Sequence, residues 1–272
     1  MSCKRCNKRA YRRKKIKRDE VVIATKGGYL PVDYRNILVD ENYREKISDD
    51  LEKYFREDIC KSLNFKNTEI DNILKRKNTI NNKIIEFLFN ESRINLDMDT
   101  IDIYYLHNPE VSKAGMSEEE FYNKLGVTFS FLEDKVKEGK LKYYGISTYS
   151  GFIAKETEAK YLSLEKIYKI AEKVGGDKNH FKYIQLPFNK GMDDAGRIKN
   201  QRIKGTLKTP IDAAFDLGLS VITNVSLGQG QYFYKYSCEE MIEFLVNNLR
   251  IFSSMVGMKN VLNVERNVKS IL

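Results

Sequence analysis

Polar and charged side chains recur at the ends of short apolar stretches in this sequence. The set comprises Lys26, His107, Ser147, Gln185 and Asn224. In α/β proteins the carboxyl ends of parallel strands meet at one edge of the sheet, and that edge carries the chemistry. We therefore treat these residues as candidates for a single site and ask which elements would position them.

His107 follows the most strand-like stretch of the chain. Residues 101–106 have the apolar, β-branched and aromatic composition of a strand that is buried on both faces. Pro109 cannot donate a backbone hydrogen bond, so the strand must end at or just after His107. Position alone is equally consistent with a functional histidine and with one that merely closes a strand.

Lys26 ends the apolar run 21–26 and is followed by Gly27 and Gly28. A lysine at the end of a buried strand costs free energy unless it has a partner or a chemical role. The two glycines allow a tight exit and a close approach of the backbone to a ligand. The alternative is a lysine whose ammonium simply extends to solvent at the rim.

Strand-like and helix-like segments alternate along the chain. The strand patterns cover residues 21–26, 101–106, 142–147, 183–186, 219–224 and 253–257, and the helical patterns cover 48–63, 79–96, 117–139, 161–174, 208–217, 238–249 and 261–272. This alternation predicts right-handed βαβ units and a parallel sheet. Polar strand ends on one rim are typical of an α/β protein of the (β/α)8 TIM-barrel type. No GxGxxG motif follows the first strand, so the Rossmann fingerprint is absent.

The charge of the chain is concentrated at its start. The net charge is +9, but ten of the 47 Lys and Arg residues lie in residues 1–18, leaving 37 bases against 38 acids. We therefore divide the chain into a basic arm, 1–18, and a barrel domain, 19–272, with a surface excursion around 29–83. No apolar run approaches the roughly 20 residues of a membrane span. With four cysteines and no secretory leader, we expect a cytoplasmic protein without a disulfide framework.

The basic arm has three interpretations. Its lysines and arginines could hold nucleic acid through phosphate contacts. It could equally be a solvated tail or the product of a misplaced start site, and we favour these two. Cys3 and Cys6 form a CxxC, but without further ligands nearby they do not predict a metal site.

Six sequence segments, taken together, resemble the aldo-keto reductase family. They lie at residues 18–26, 102–110, 132–147, 183–189, 226–230 and 256–260, in the right order and at strand ends, and the match runs from about Asp19 to Leu272. The resemblance implies an NAD(P)H-dependent oxidoreductase that reduces aldehydes or ketones by hydride transfer. Its partner would be a small carbonyl substrate. We expect no membrane partner, and contact with nucleic acid only through the basic arm.

The resemblance also implies roles for individual residues. Lys26 resembles the catalytic lysine of the family and His107 its catalytic histidine. Thr148 replaces the asparagine that usually follows the family's serine, and Asn260 replaces a serine at the adenosine 2′-phosphate, so both NADP(H) and NAD(H) stay open. The implied cofactor-binding residues are Ser147, Thr148, Gln185, Ser226, Leu227, Gly228, Lys259 and Asn260.

Two members of the family's catalytic set have no counterpart here. Its aspartate and tyrosine precede the lysine, whereas only 25 residues precede Lys26 and the basic arm fills them. We interpret the chain as an N-terminally truncated barrel of about six strands, in which turnover is impaired or absent. Tyr29 could replace the missing acid. The alternative is a non-catalytic protein that still binds the dinucleotide. Open edges on the first and last strands predict self-association.

Overall fold

The central element of the computed structural model, which describes residues 17–30, 53, 55–60 and 63–271, is a parallel sheet. The strands are β1 Ala24–Gly27, β2 Ile101–His107, β3 Leu141–Ser147, β4 Phe181–Pro187, β5 Gln201–Ile203, β6 Thr206–Lys208, β7 Ser220–Asn224 and β8 Ile251–Ser254. Six of them form one sheet in the order β1-β2-β3-β4-β7-β8, and every neighbouring pair is parallel. The predicted α/β class and the six strands are confirmed.

Helices follow the strands and cover the outer face of the sheet. They are α1 Asn67–Arg76, α2 Asn82–Leu96, α3 Pro109–Lys113, α4 Glu118–Lys137, α5 Leu164–Gly175, α6 Asp194–Arg197, α7 Pro210–Asp216, α8 Cys238–Val246 and α9 Val261–Lys269. Side-chain caps fix several starts: Ser117 Oγ accepts from the Glu120 amide at 3.1 Å, for example. None of the helices within the described ranges is long and apolar enough to cross a bilayer.

The main core lies between the sheet and its helices. Phe129 of α4 contacts the rings of Tyr144 and Phe181, which project from β3 and β4. A smaller cluster occupies the opposite face of the sheet, where Ile103 and Tyr105 pack with Ile222. β2 is therefore buried on both faces, as its composition predicted.

The segment around 29–83 is more than the predicted surface excursion. Residues 31–50 lie outside the described residues, but α1 is a regular helix and its Ile70 is buried. It belongs to a second apolar cluster that packs against α2: Leu30, Phe55, Ile59, Cys60, Ile70, Ile84 and Leu88. Asn and Lys residues interrupt the apolar pattern of this segment, so its buried face could not be recognised from the sequence. Of the predicted helix at 48–63, the structure describes the helical turn Phe55–Cys60.

Two strand boundaries and one hairpin differ from the prediction. β1 begins at Ala24 because the backbone of Ile23 bonds partly to the Asp102 side chain instead of the strand ladder. β8 runs Ile251–Ser254 and not 253–257, since its pairing with β7 ends at Ser254. The antiparallel hairpin β5–β6 was not predicted; its strands have three residues each.

Asp102 anchors the start of β1 to the sheet. Its carboxylate accepts from Arg18 at 2.7 Å and from the Ile23 amide at 2.8 Å, and it pairs with Lys142 at 2.8 Å. Burial opposes ionisation of this carboxyl, yet the three donors prevail and lower its pKa. Arg18 also donates to the Thr100 carbonyl, so the last residue of the basic arm is fixed to the barrel.

We expect Asp102→Asn to destabilise the chain by about 1–3 kcal/mol at pH 7, because charge-assisted hydrogen bonds are lost. A carboxyl with a lowered folded pKa stabilises the fold fully above its unfolded pKa of about 4, and this contribution is lost as the pH falls from there through the lower folded pKa. Urea unfolding between pH 7 and pH 3 measures this dependence. Equal losses of stability on acidification in the wild type and in Asp102→Asn would contradict the role assigned to Asp102.

Candidate functional site

The predicted site residues of the first four parallel strands meet at the carboxyl edge of the sheet. His107, Ser147 and Gln185 are direct neighbours in the strand register, from β2 to β3 to β4. Lys26 lies near the end of β1, next to β2. The order of the strands thus places a lysine, a histidine, a serine and a glutamine side by side.

Three of these side chains form one hydrogen-bonded cluster. Lys26 Nζ donates to Ser147 Oγ at 2.8 Å and also to Gln185 Oε1. Ser147 Oγ donates to the same Gln185 oxygen at 3.0 Å. Asn224 Nδ2, at the end of β7, lies 3.4 Å from it. The cluster reaches from β1 across the sheet to β7.

Lys26 is held by neutral partners. Within the ranges that the structure describes, its ammonium forms no ion pair with a carboxylate. Burial lowers the pKa of Lys26 to about 8, because removal from water disfavours the charged form. This ammonium is therefore a much stronger acid than that of an exposed lysine.

His107 is neutral at physiological pH. Burial, and then the charge of Lys26, lower the pKa of its imidazole to about 4. The ring of Tyr29 packs edge-on against it with 4.9 Å between centroids, and the Tyr29 hydroxyl accepts from Asn108 Nδ2 at 3.2 Å. A neutral imidazole can donate one hydrogen bond to a substrate oxygen and accept another at its second nitrogen.

The turn after β1 brings Tyr29 to this rim. Gly28 has φ +133°, and a Cβ at this position would lie 2.9 Å from the His107 carbonyl oxygen. Only glycine permits that conformation and that approach. Thr79 donates its amide to the Gly28 carbonyl at 2.8 Å, which fixes the turn against the segment before α2.

Several buried polar atoms beside the cluster lack an ordinary partner. Gln185 Nε2 donates to Met255 Sδ, a weak acceptor, at 2.8 Å. Asn224 Oδ1 and Ser226 Oγ are buried without a hydrogen bond inside the described part of the chain. Burying such groups unpaired is costly, so they indicate a place where a polar ligand supplies the missing partners.

The loop after β7 carries the predicted residues Ser226, Leu227 and Gly228. Ser226 and Gly228 are buried, and φ is positive at Val225, Gly228, Gln229 and Gly230. A left-handed conformation is a genuine outlier for a β-branched residue such as Val225. Backbone amides in successive unusual conformations of this kind form concave anion-binding surfaces.

The remaining predicted residues lie apart from the cluster. Lys259 and Asn260 are exposed before α9, where Asn260 Oδ1 caps the helix by accepting from the Leu262 amide at 2.9 Å. Thr148 is buried, but its hydroxyl accepts from the Gly151 amide at 2.8 Å and serves a turn. The structure therefore joins Lys26, Ser147 and Gln185, places His107 beside them, and gives Thr148 a different partner.

Two supporting residues escaped the sequence analysis. Asn78 donates to the His107 carbonyl at 2.8 Å, and Met255 accepts from Gln185. Asn78 stands in a polar segment and acts across 29 residues of sequence, so no local pattern could have indicated it. Met255 directly follows the last strand, but a thioether is not a residue type that points to a polar site.

Comparison with known proteins identifies the family of the chain. The model of the aldo/keto reductase family matches residues 5–174. The chain belongs to the aldo/keto reductase family. This membership points to an oxidoreductase and agrees with the resemblance seen in the sequence. No curated protein sequence matches the chain significantly.

Two solved structures are similar to the chain. The first is PA4992 from Pseudomonas aeruginosa, assigned to the aldo-keto reductases, with 13% identity and a TM-score of 0.52 over 98% of this chain and 72% of that protein. The second is the thermostable aldo-keto reductase Tm1743 in complex with epalrestat, with 13% identity and a TM-score of 0.49 over 71% of this chain and 62% of that protein. The first similarity supports the barrel-type fold of this chain.

We expect Lys26→Met to raise the pKa of His107, because the neighbouring positive charge is removed while burial persists. The chain has two histidines, so NMR titration with His180→Gln as the assignment control identifies His107 directly. In the wild type the imidazole should titrate near pH 4, and in Lys26→Met at a higher pH. An unchanged His107 pKa in Lys26→Met would show that the two groups do not interact.

Proposed function

We propose that the chain is an NAD(P)H-dependent oxidoreductase that reduces aldehydes or ketones by hydride transfer. The observation that carries the proposal is the hydrogen-bonded cluster of Lys26, Ser147 and Gln185 next to the neutral His107. It combines an acidic ammonium with amide-binding groups at the edge of the sheet where α/β barrels place their active sites. Membership in the aldo/keto reductase family supports the reaction class.

The polar groups beside the cluster fit a nicotinamide carboxamide. Gln185 Nε2 has only a sulfur acceptor, and Asn224 Oδ1 has no partner among the described residues. A carboxamide offers an acceptor oxygen to the first and a donor NH2 to the second. Ser147 would complete this set, while the hydroxyl of Thr148 stays with its turn.

The loop 226–228 and the residues before α9 would hold the rest of the dinucleotide. Ser226 Oγ and the backbone of Leu227 and Gly228 suit phosphate oxygens. Lys259 and Asn260 would contact the adenosine end. Because Lys259 supplies one positive charge and Asn260 none, the proposal includes both NADP(H) and NAD(H).

The catalytic step divides between two side chains. When bound, the dinucleotide would supply the hydride that reduces the carbonyl carbon. His107 donates a hydrogen bond to the carbonyl oxygen, which polarises it and stabilises the developing negative charge. Lys26 then gives that oxygen a proton from Nζ, and its pKa of about 8 suits general acid catalysis near neutral pH. Tyr29 packs on His107 and orients the ring.

A second candidate function is dinucleotide binding without turnover. In the part of the chain that the structure describes, no carboxylate and no tyrosine hydroxyl bonds to Lys26. An ammonium that remains bonded to Ser147 and Gln185 would keep the amide-binding groups occupied until a ligand displaces it. Such a protein would bind the cofactor and leave it unoxidised.

Fluorescence titration with NADPH tests both candidates. Gln185→Leu should weaken binding by roughly two- to tenfold, because the hydrogen bond from Gln185 Nε2 to the carboxamide oxygen is lost at about 0.5–1.5 kcal/mol. The exposed Gln231→Leu, which lies beyond the loop 226–228 and has ordinary helical backbone angles, is a control expected to keep wild-type affinity. Equal affinities of the wild type and Gln185→Leu would contradict the proposed cofactor site.

Oxidation of NADPH with a panel of aldehydes separates turnover from binding alone. We expect Lys26→Met to lose at least about 100-fold in kcat, as is usual when a general acid is removed. Tyr29→Phe keeps the ring on His107 and should retain most of the activity. If Tyr29→Phe and not Lys26→Met abolishes turnover, the proton comes from Tyr29. Binding without any oxidation would select the second candidate.

The pH dependence of kcat provides a further check. A proton donor must be charged to act, so the rate should fall as the pH rises through about 8, where Lys26 loses its proton. A rate that stays constant to pH 10 would exclude Lys26 as the donor.

A further inference from the structure

We infer that Lys26 captures small aldehydes as a reversible imine in the absence of any dinucleotide. This activity goes beyond the proposed reduction, since it needs neither the cofactor nor a hydride. Imine formation needs the neutral, nucleophilic amine of Lys26, whereas the reduction needs its charged ammonium as the acid.

The surroundings of Lys26 suit a nucleophilic amine. Its Nζ has the neutral partners Ser147 and Gln185, and no described carboxylate stabilises the ammonium. The residue is half-buried at the carboxyl rim, beside the end of β2 that carries His107. A lysine withdrawn from water without an anion is the kind that serves as a Schiff-base residue.

Another lysine provides the contrast. Lys113 is also withdrawn from water, but its Nζ donates to the Tyr161 carbonyl at 2.5 Å and lies between the rings of Phe121 and Tyr122. Only 9% of Lys113 is exposed. Both lysines are withdrawn from water, but Lys26 is the more exposed residue of the two and lies at the carboxyl rim of the sheet.

The reaction is balanced without any further reactant. The lone pair of the neutral Nζ attacks the carbonyl carbon, a C–N bond forms, and the carbonyl oxygen takes a proton originally on nitrogen. The resulting carbinolamine loses its hydroxyl with a second proton as water, and a C=N bond remains. Ser147 Oγ, 2.8 Å from Nζ, can relay the proton between nitrogen and oxygen.

The groups around Lys26 favour the neutral amine. Among the residues that the structure describes, the titratable groups that face it are His107 and Tyr105 of β2, with Tyr29 beside His107. His107 is uncharged at neutral pH, and burial raises the pKa of Tyr105, so both stay neutral. With a pKa of about 8, Lys26 has roughly a few hundred times more free amine at pH 7 than an exposed lysine.

The experiment incubates the folded full chain with propanal and sodium cyanoborohydride at pH 7, without dinucleotide. The reductant converts an imine into a stable propyl-lysine, which peptide mass spectrometry locates. The internal reference is Lys166, whose side chain is about half exposed and pairs with Glu118 at 2.9 Å. An amino terminus also reacts with aldehydes, so peptides containing it are scored separately.

We expect Lys26 to be labelled at least tenfold faster than Lys166, at a rate that increases with pH up to about 8. Lys26→Arg keeps a positive charge but cannot form the imine, and circular dichroism confirms that it folds. Even labelling of Lys26 and the surface lysines would overturn the inference, as would an unlabelled Lys26. Labelling of Lys26 without NADPH oxidation would support the imine inference and refute the proposed reduction. Oxidation of NADPH without labelling of Lys26 would support the reduction and overturn the imine inference.

Discussion

One unusual interaction positions the site: the ammonium of Lys26 is removed from water, and its partners among the described residues are neutral. Lys26 on β1 reaches across the carboxyl edge to Ser147 on β3 and Gln185 on β4. Two hydrogen bonds from uncharged oxygens compensate only part of the desolvation of a positive charge. The uncompensated part of this desolvation makes Lys26 a stronger acid and also a better nucleophile at neutral pH. A single physical cause therefore underlies both reactions proposed for it.

The rest of the fold positions that lysine. The short strand β1 is fixed at its start by Asp102, which binds Arg18 and the Ile23 amide, and at its end by the turn at Gly28. Between these two points the parallel register with β2 directs Lys26 toward the same edge as His107. The positive charge and the burial together keep the imidazole neutral. A substitution that disturbs either end of β1 would therefore change the direction of the Lys26 side chain and, with it, the geometry of the site.

Much of this architecture could be predicted from the sequence because the patterns are local. The apolar run before His107 and the glycines after Lys26 mark strand ends, and parallel topology brings such ends together. The short hairpin β5–β6 and the apolar cluster around Ile70 were missed, since their periodicity is interrupted by polar residues. The bond between Lys26 and Gln185 joins positions 159 residues apart, and the neutral character of the described partners of Lys26 is a property of three-dimensional packing. Neither leaves a local signal, so only the structure could provide them.

The most direct test of this account is a titration of Lys26 itself. NMR of the chain labelled with 13C at lysine Cε follows each amine separately, and Lys26→Arg identifies the signal. We predict that Lys26 titrates near pH 8, well below the value of about 10.4 for a lysine in water. A Lys26 signal that titrates together with the surface lysines would contradict it, because the side chain would then be solvated or paired with an anion. Its roles as proton donor and as nucleophile would both lose their physical basis.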